Sequence, residues 1–180
     1  MTAHSSPDEA HTSPMTAHTS LMTAYTNPDG TVVDVSIGKD VSIGEVVWLG
    51  EKVCLGDGVS IGDGVWIGQE VQIGEYAQIG MGAWMDRWVR IGKEASIGEG
   101  VWIGEGVWIG EEAAIGEYAW IGPRAWIDKE AEMDEKTVIG KEARIGPEAW
   151  IGRNARIGGR VWIGGGTWIA ADAFISWRER

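Results

Sequence analysis

The chain has 180 residues, 23% of them charged and 44% hydrophobic, with a formal net charge of −12. That balance suits one folded domain, and the acidic excess argues against a nucleic-acid binder, which needs a basic face for phosphates. No apolar run approaches the ~18 residues needed to span a bilayer, so no membrane partner is expected.

Three counts are skewed: 28 Gly, 12 Trp and one Phe. Such a composition points to a template that reuses a few residue types. The only cysteine, Cys54, has no internal partner for a disulfide, and the first residues lack the basic-then-apolar pattern of a secretory leader. A reducing, cytoplasmic setting is therefore expected. Charge is spread unevenly: residues 141–180 carry seven Lys/Arg against four Asp/Glu, while the remainder is strongly acidic.

Residues 1–30 come first. They divide into four loose heptads, MTAHSSP, DEAHTSP, MTAHTSL and MTAYTNP. His4, His11 and His18 recur at one place, and Tyr25 takes it in the fourth copy. Leu21 is the one large aliphatic side chain, so no buried face is expected, and the stretch reads as a low-complexity, disordered tail. Asn27-Pro28-Asp29-Gly30 reads as a turn that closes it. The His spacing is taken as a by-product of the tail repeat, not as a metal site.

From Val35 the period becomes six, and residues 31–176 form the second region. Ile, Leu or Met recurs in 24 copies from Ile37 to Ile175 without insertion or deletion, Met85 and Met133 being the two methionines. Two positions earlier stands a small or β-branched residue, as at Val35, Val41, Ala77 and Ala173. Gly follows the aliphatic in 19 of the 24 copies, and two mostly polar residues come next. Residues two apart share one side of a short strand, and the polar pair turns the chain. Spacings of two and four do not fit a helix. One copy cannot bury its own side chains, so stacked coils must make the core. Residues 177–180 form a short charged end.

Ile-Gly-Glu-Gly-Val-Trp and its relatives resemble the hexapeptide repeat of the left-handed parallel β-helix superfamily, over about four fifths of the chain. The resemblance implies an all-β, single-stranded triangular solenoid with three hexapeptides per 18-residue coil. Its left-handedness is implied by the resemblance alone and departs from the usual right-handed crossover. About eight coils at ~4.8 Å each would make a stack on the order of 38 Å long.

Folding the sequence at 18 residues sorts the outward position into three columns. One reads Trp48, Trp66, Trp84, Trp102, Trp120, Val138, Arg156, Phe174. A second carries Trp108, Trp126 and Trp162 below Cys54, Gln72 and Arg90, and the third ends in Trp150 and Trp168. Stacked aromatics stabilise neighbouring strands by themselves. An apolar strip of this length on one flat side is also a self-association face. Trp48, Trp66, Trp84, Trp102, Trp120, Val138 and Phe174 are its candidate residues, with Trp108, Trp126, Trp150, Trp162 and Trp168 as a secondary aromatic face. The expected partner is the chain itself, as trimer, dimer or end-to-end stack.

The resemblance also implies chemistry to look for. Many hexapeptide-repeat proteins are acyltransferases that use an acyl-CoA or acyl-carrier donor and a His base, often beside an extruded loop. Others are γ-class carbonic anhydrases that hold a metal through three His. Residues 31–176 contain no His and no break in the lattice, so no catalytic or metal residue is assigned. Asp86, Asp128 and Asp134 replace Gly, and the last two join Glu130, Glu132 and Glu135 in an acidic corner read as solvated. The leading expectation is a non-catalytic scaffold without cofactor. The alternatives are an acyl-CoA-dependent transferase with an atypical site, for which acetyl-CoA would be the cofactor, and a designed or consensus-like β-helix without natural function.

Overall fold

From Ser42 to Ile175 each hexapeptide contributes one two-residue strand, made by the outward residue and the aliphatic after it. The computed structural model describes residues 21–176. Strands pair in parallel with those 18 residues before and after, so Trp84 lies beside Trp66 and Trp102. Three strands complete a coil, and eight coils stack into three sheets, a triangular β-solenoid. Within the coils the parallel part of the first sheet starts at β2 (Val32–Ile37), the second sheet at β3 (Ser42–Ile43) and the third at β4 (Trp48–Leu49). Backbone groups are satisfied between coils: Trp66 N–H donates to Ala83 O at 3.0 Å and Gly68 N–H to Met85 O at 2.8 Å.

Inside, the small residue and the aliphatic of each copy meet those of the neighbouring coils. Val101, Ile103, Ile109 and Ala113 are closed to solvent. Among the described residues only Asn27 and Thr137 are buried polar groups, and Thr137 Oγ1 donates to Asp134 O at 2.6 Å. The glycine after the aliphatic answers a close approach. A Cβ on Gly98 would stand 2.7 Å from Glu117 N and 2.8 Å from Gly116 C in the next coil.

The corners impose a second demand. The last residue of each polar pair is left-handed, at φ between 54° and 67° from Asp40 to Asp172. Gly is suited to that region, yet Lys52, Tyr76, Trp88 and even the β-branched Val46 occupy it. Repeated N–H to C=O bonds hold it, as from Trp88 N–H to Gln69 O at 3.0 Å. Stacking therefore overrides local backbone preference.

The expectation of disorder through residue 30 fails for its last part. β1 (Leu21–Thr26) pairs antiparallel with β2 across a turn in which Gly30 N–H donates to Asn27 O at 2.9 Å. The turn at Asn27–Gly30 thus joins two strands instead of closing a tail. β1 extends the first sheet at the edge of the first coil. Asn27 does the same for the third sheet with its side chain: Leu49 N–H donates to Asn27 Oδ1 at 2.9 Å, and Asn27 Nδ2 donates to Leu49 O at 3.1 Å. The amide stands in for a missing strand residue. Tyr25 OH donates to Val47 O at 3.1 Å, and burial raises its phenol pKa. Leu49 is consequently buried, whereas Ile37 and Ile43 of the same coil stay half-exposed. Residues 1–20, with His4, His11 and His18, and residues 177–180 lie outside the described residues.

Candidate functional site

The outward residue of each strand has no coil to pack against sideways, so its neighbours are the outward residues one coil up and down. In the third sheet that register runs Trp48, Trp66, Trp84, Trp102, Trp120, then Val138, Arg156 and Phe174. The expected column exists, but its rings do not form one continuous stack. Trp66 and Trp84 meet edge to face with centroids 3.8 Å apart, and Trp102 and Trp120 stack at 5.1 Å with planes 4° apart. Pairing lets each indole cover part of another. Even so, Trp66, Trp84 and Trp120 remain about two fifths exposed, and Phe174 is 72% exposed.

The other aromatics fall on two different sheets. Trp108 and Trp126 meet edge to face on the first sheet at 3.6 Å, with Trp162 farther along it. Trp150 and Trp168 stack at 5.4 Å on the second. The secondary aromatic face is therefore two short patches, not one surface. Periodicity of 18 located every one of these residues, while the ring geometry depends on rotamers that no spacing encodes.

Charged corners border the third sheet. One edge is mostly acidic, with Glu45, Asp63, Glu99, Glu117 and Glu135, and carries Lys136 and Arg153 toward its far end; the other interleaves Lys52, Arg87, Arg124 and Lys141 with Glu51, Glu70, Glu105 and Glu142. On the mixed edge Arg87 donates to Glu105 at 3.1 Å, and Arg160 Nε donates to Glu142 Oε2 at 2.9 Å. The Arg160 guanidinium, with Lys141 beside it, holds Glu142 below the usual carboxylate range. On the acidic edge Tyr118 OH donates to Glu99 Oε1 at 2.8 Å, and that carboxylate raises the Tyr118 pKa.

The acidic corner has structural employment. Asp86, Asp128 and Asp134 each accept a hydrogen bond from the N–H of the next residue, at 2.7, 2.8 and 2.9 Å. Glu130 pairs with Lys129, and Glu135 with Lys136 and Arg153. Among the described residues no group of three His, Cys, Asp or Glu is placed to hold a metal ion. Among them no helix is long and apolar enough to cross a membrane.

No family model and no curated protein matches the chain. Solved structures do: 107 chains match. Among them is LpxA, a UDP-N-acetylglucosamine acyltransferase from Bacteroides fragilis 9343, at TM-score 0.68 and 23% identity, covering 79% of this chain and 65% of that one. The UDP-N-acetylglucosamine acyltransferase from Campylobacter jejuni matches at 0.50 and 16%, over 76% and 66%. A hexapeptide transferase family protein from Anaplasma phagocytophilum matches at 0.52 and 15%, over 74% and 77%. The chain spans just under two thirds of the length of the two acyltransferases. The solenoid thus has the left-handed parallel β-helix fold of hexapeptide-repeat proteins, acyltransferases among them. At these identities the likeness is one of fold, and chemistry must be argued from this chain's own side chains.

Proposed function

We propose that this protein is a non-catalytic β-solenoid scaffold that self-associates through the third-sheet face, with copies side by side. The observation that carries the reading is the outer column itself: five consecutive tryptophans on one flat sheet, of which Trp66, Trp84 and Trp120 are each about two fifths open to water after pairing. A second copy would cover that apolar strip, as homo-oligomer interfaces do. Trp48, Val138 and Phe174 extend it, and Arg156 interrupts it. Cys54 suits a reducing, cytoplasmic setting in this reading. Sedimentation equilibrium across a concentration range tests the reading: reversible association is expected, and a monomer at every concentration would contradict it.

The fold shared with acyltransferases favours a second reading, an acyl-CoA-dependent transferase with an atypical site. The coils hold no His to serve as base, which places this reading second. A thermal shift with acetyl-CoA separates the two. The scaffold reading expects none, and micromolar binding would give the enzyme precedence.

A further inference from the structure

A different face carries a different feature. On the first sheet the outward row Cys54, Gln72, Arg90 runs into the indoles of Trp108 and Trp126. Beside that row stands the corner column of Lys52, Glu70, Trp88 and Arg124, in which Gly106 leaves a gap between the last two. Row and column border an open groove of about 740 Å³.

Its lining runs against the acidic balance of the chain as a whole. Although the chain carries a net charge of −12, three of the four charged residues lining this groove are cationic. Among the described residues the Arg90 guanidinium has no hydrogen-bond or ion-pair partner, while its backbone N–H donates to Val107 O at 2.9 Å. The Lys52–Glu70 and Arg124–Glu142 contacts are long, both 3.8 Å, and exposed, so neither fixes its cation firmly. One face of Trp88 is already covered by Arg87, 4.3 Å from the ring centroid. Trp108 is half-buried against Trp126 and offers the groove an anchored aromatic wall.

We infer that this groove is a binding site for a planar aromatic carboxylate. The guanidinium of Arg90 would take the carboxylate through two parallel N–H donors. The ring would lie against Trp108, and the Gln72 amide would supply a polar contact at the floor. This site is independent of the self-association proposed above, which uses the third sheet.

Naphthoate is the probe, titrated into the full chain by calorimetry, with naphthylmethanol and cyclohexanecarboxylate as controls. Naphthoate is expected to bind at submillimolar concentration, with weaker binding at high salt. Arg90→Gln, replacing the charge while leaving an exposed position polar, is expected to weaken it roughly tenfold or more. Naphthylmethanol, which lacks the charge, and cyclohexanecarboxylate, which lacks the flat ring, should each bind comparably worse to the unaltered protein. Arg144→Gln is the internal control, since Arg144 lies on the same row between Trp126 and Trp162 but outside the groove. Equal losses from Arg90→Gln and Arg144→Gln would overturn the site, as would equal binding of the uncharged probe or no binding into the low millimolar range.

Discussion

The inside and the outside of this solenoid follow opposite rules. Each interior position is seen by two neighbouring coils, so Ile91, Ile109 and Ile127 are nearly interchangeable, in register and buried. The outward residue beside them is Arg90, then Trp108, then Trp126. Stacking constrains what points in and leaves what points out free to vary. A repeat therefore writes its fold in one column of residues and whatever it does in another.

Perturbations should separate the two columns. Removing an interior side chain is expected to have the largest effect. Ile109→Ala, at a site closed to solvent, should cost about 2–5 kcal/mol, read as a lower urea midpoint by circular dichroism. A cost below about 1 kcal/mol would mean that the coils close around the cavity. Next comes the end of the stack. Asn27→Ala orphans Leu49 N–H and C=O and should cost about 1–3 kcal/mol, concentrated in the first coil. Hydrogen exchange should speed up at Leu49 and leave Ile109 unchanged.

The third effect reverses sign. Val46 is 62% exposed with φ at 55°, a conformation that a β-branched residue adopts under strain. Val46→Gly should raise stability by about 0.5–1 kcal/mol, whereas a loss would show that the side chain contributes packing. Smallest is the charge node at Glu142. Its carboxyl is held below the ordinary range, chiefly by the Arg160 hydrogen bond, so its stabilising contribution is present above the unfolded carboxylate pKa. That contribution is lost as pH falls through the folded value. Glu142→Gln should flatten the acid side of a plot of Tm against pH and leave the alkaline side alone.

The same contrast explains what could be read in advance. The coil and its register were legible because the aliphatic recurs every six residues and Gly marks where Glu117 and its counterparts approach the coil before. The fourth heptad was not. It reads like the other three by composition, and its cap depends on Asn27 using both ends of its amide as a strand would. The replacement of His by Tyr25 was the available signal, and it passed as a variation in a tail. Left-handed corners at Lys52, Glu70 and Trp88 contradict residue preference and follow from stacking. The groove at Arg90 joins a face column to a corner column, a juxtaposition that neither shows alone.

The central claim is that the third-sheet tryptophans hold copies together without holding the coil together. The direct test is sedimentation velocity of the chain beside its Trp66→Ser, Trp84→Ser, Trp102→Ser triple variant, with circular dichroism on both. The account predicts an associating parent and a monomeric variant with the same β-solenoid spectrum. An equally associated, folded variant, or a monomeric parent, would contradict it.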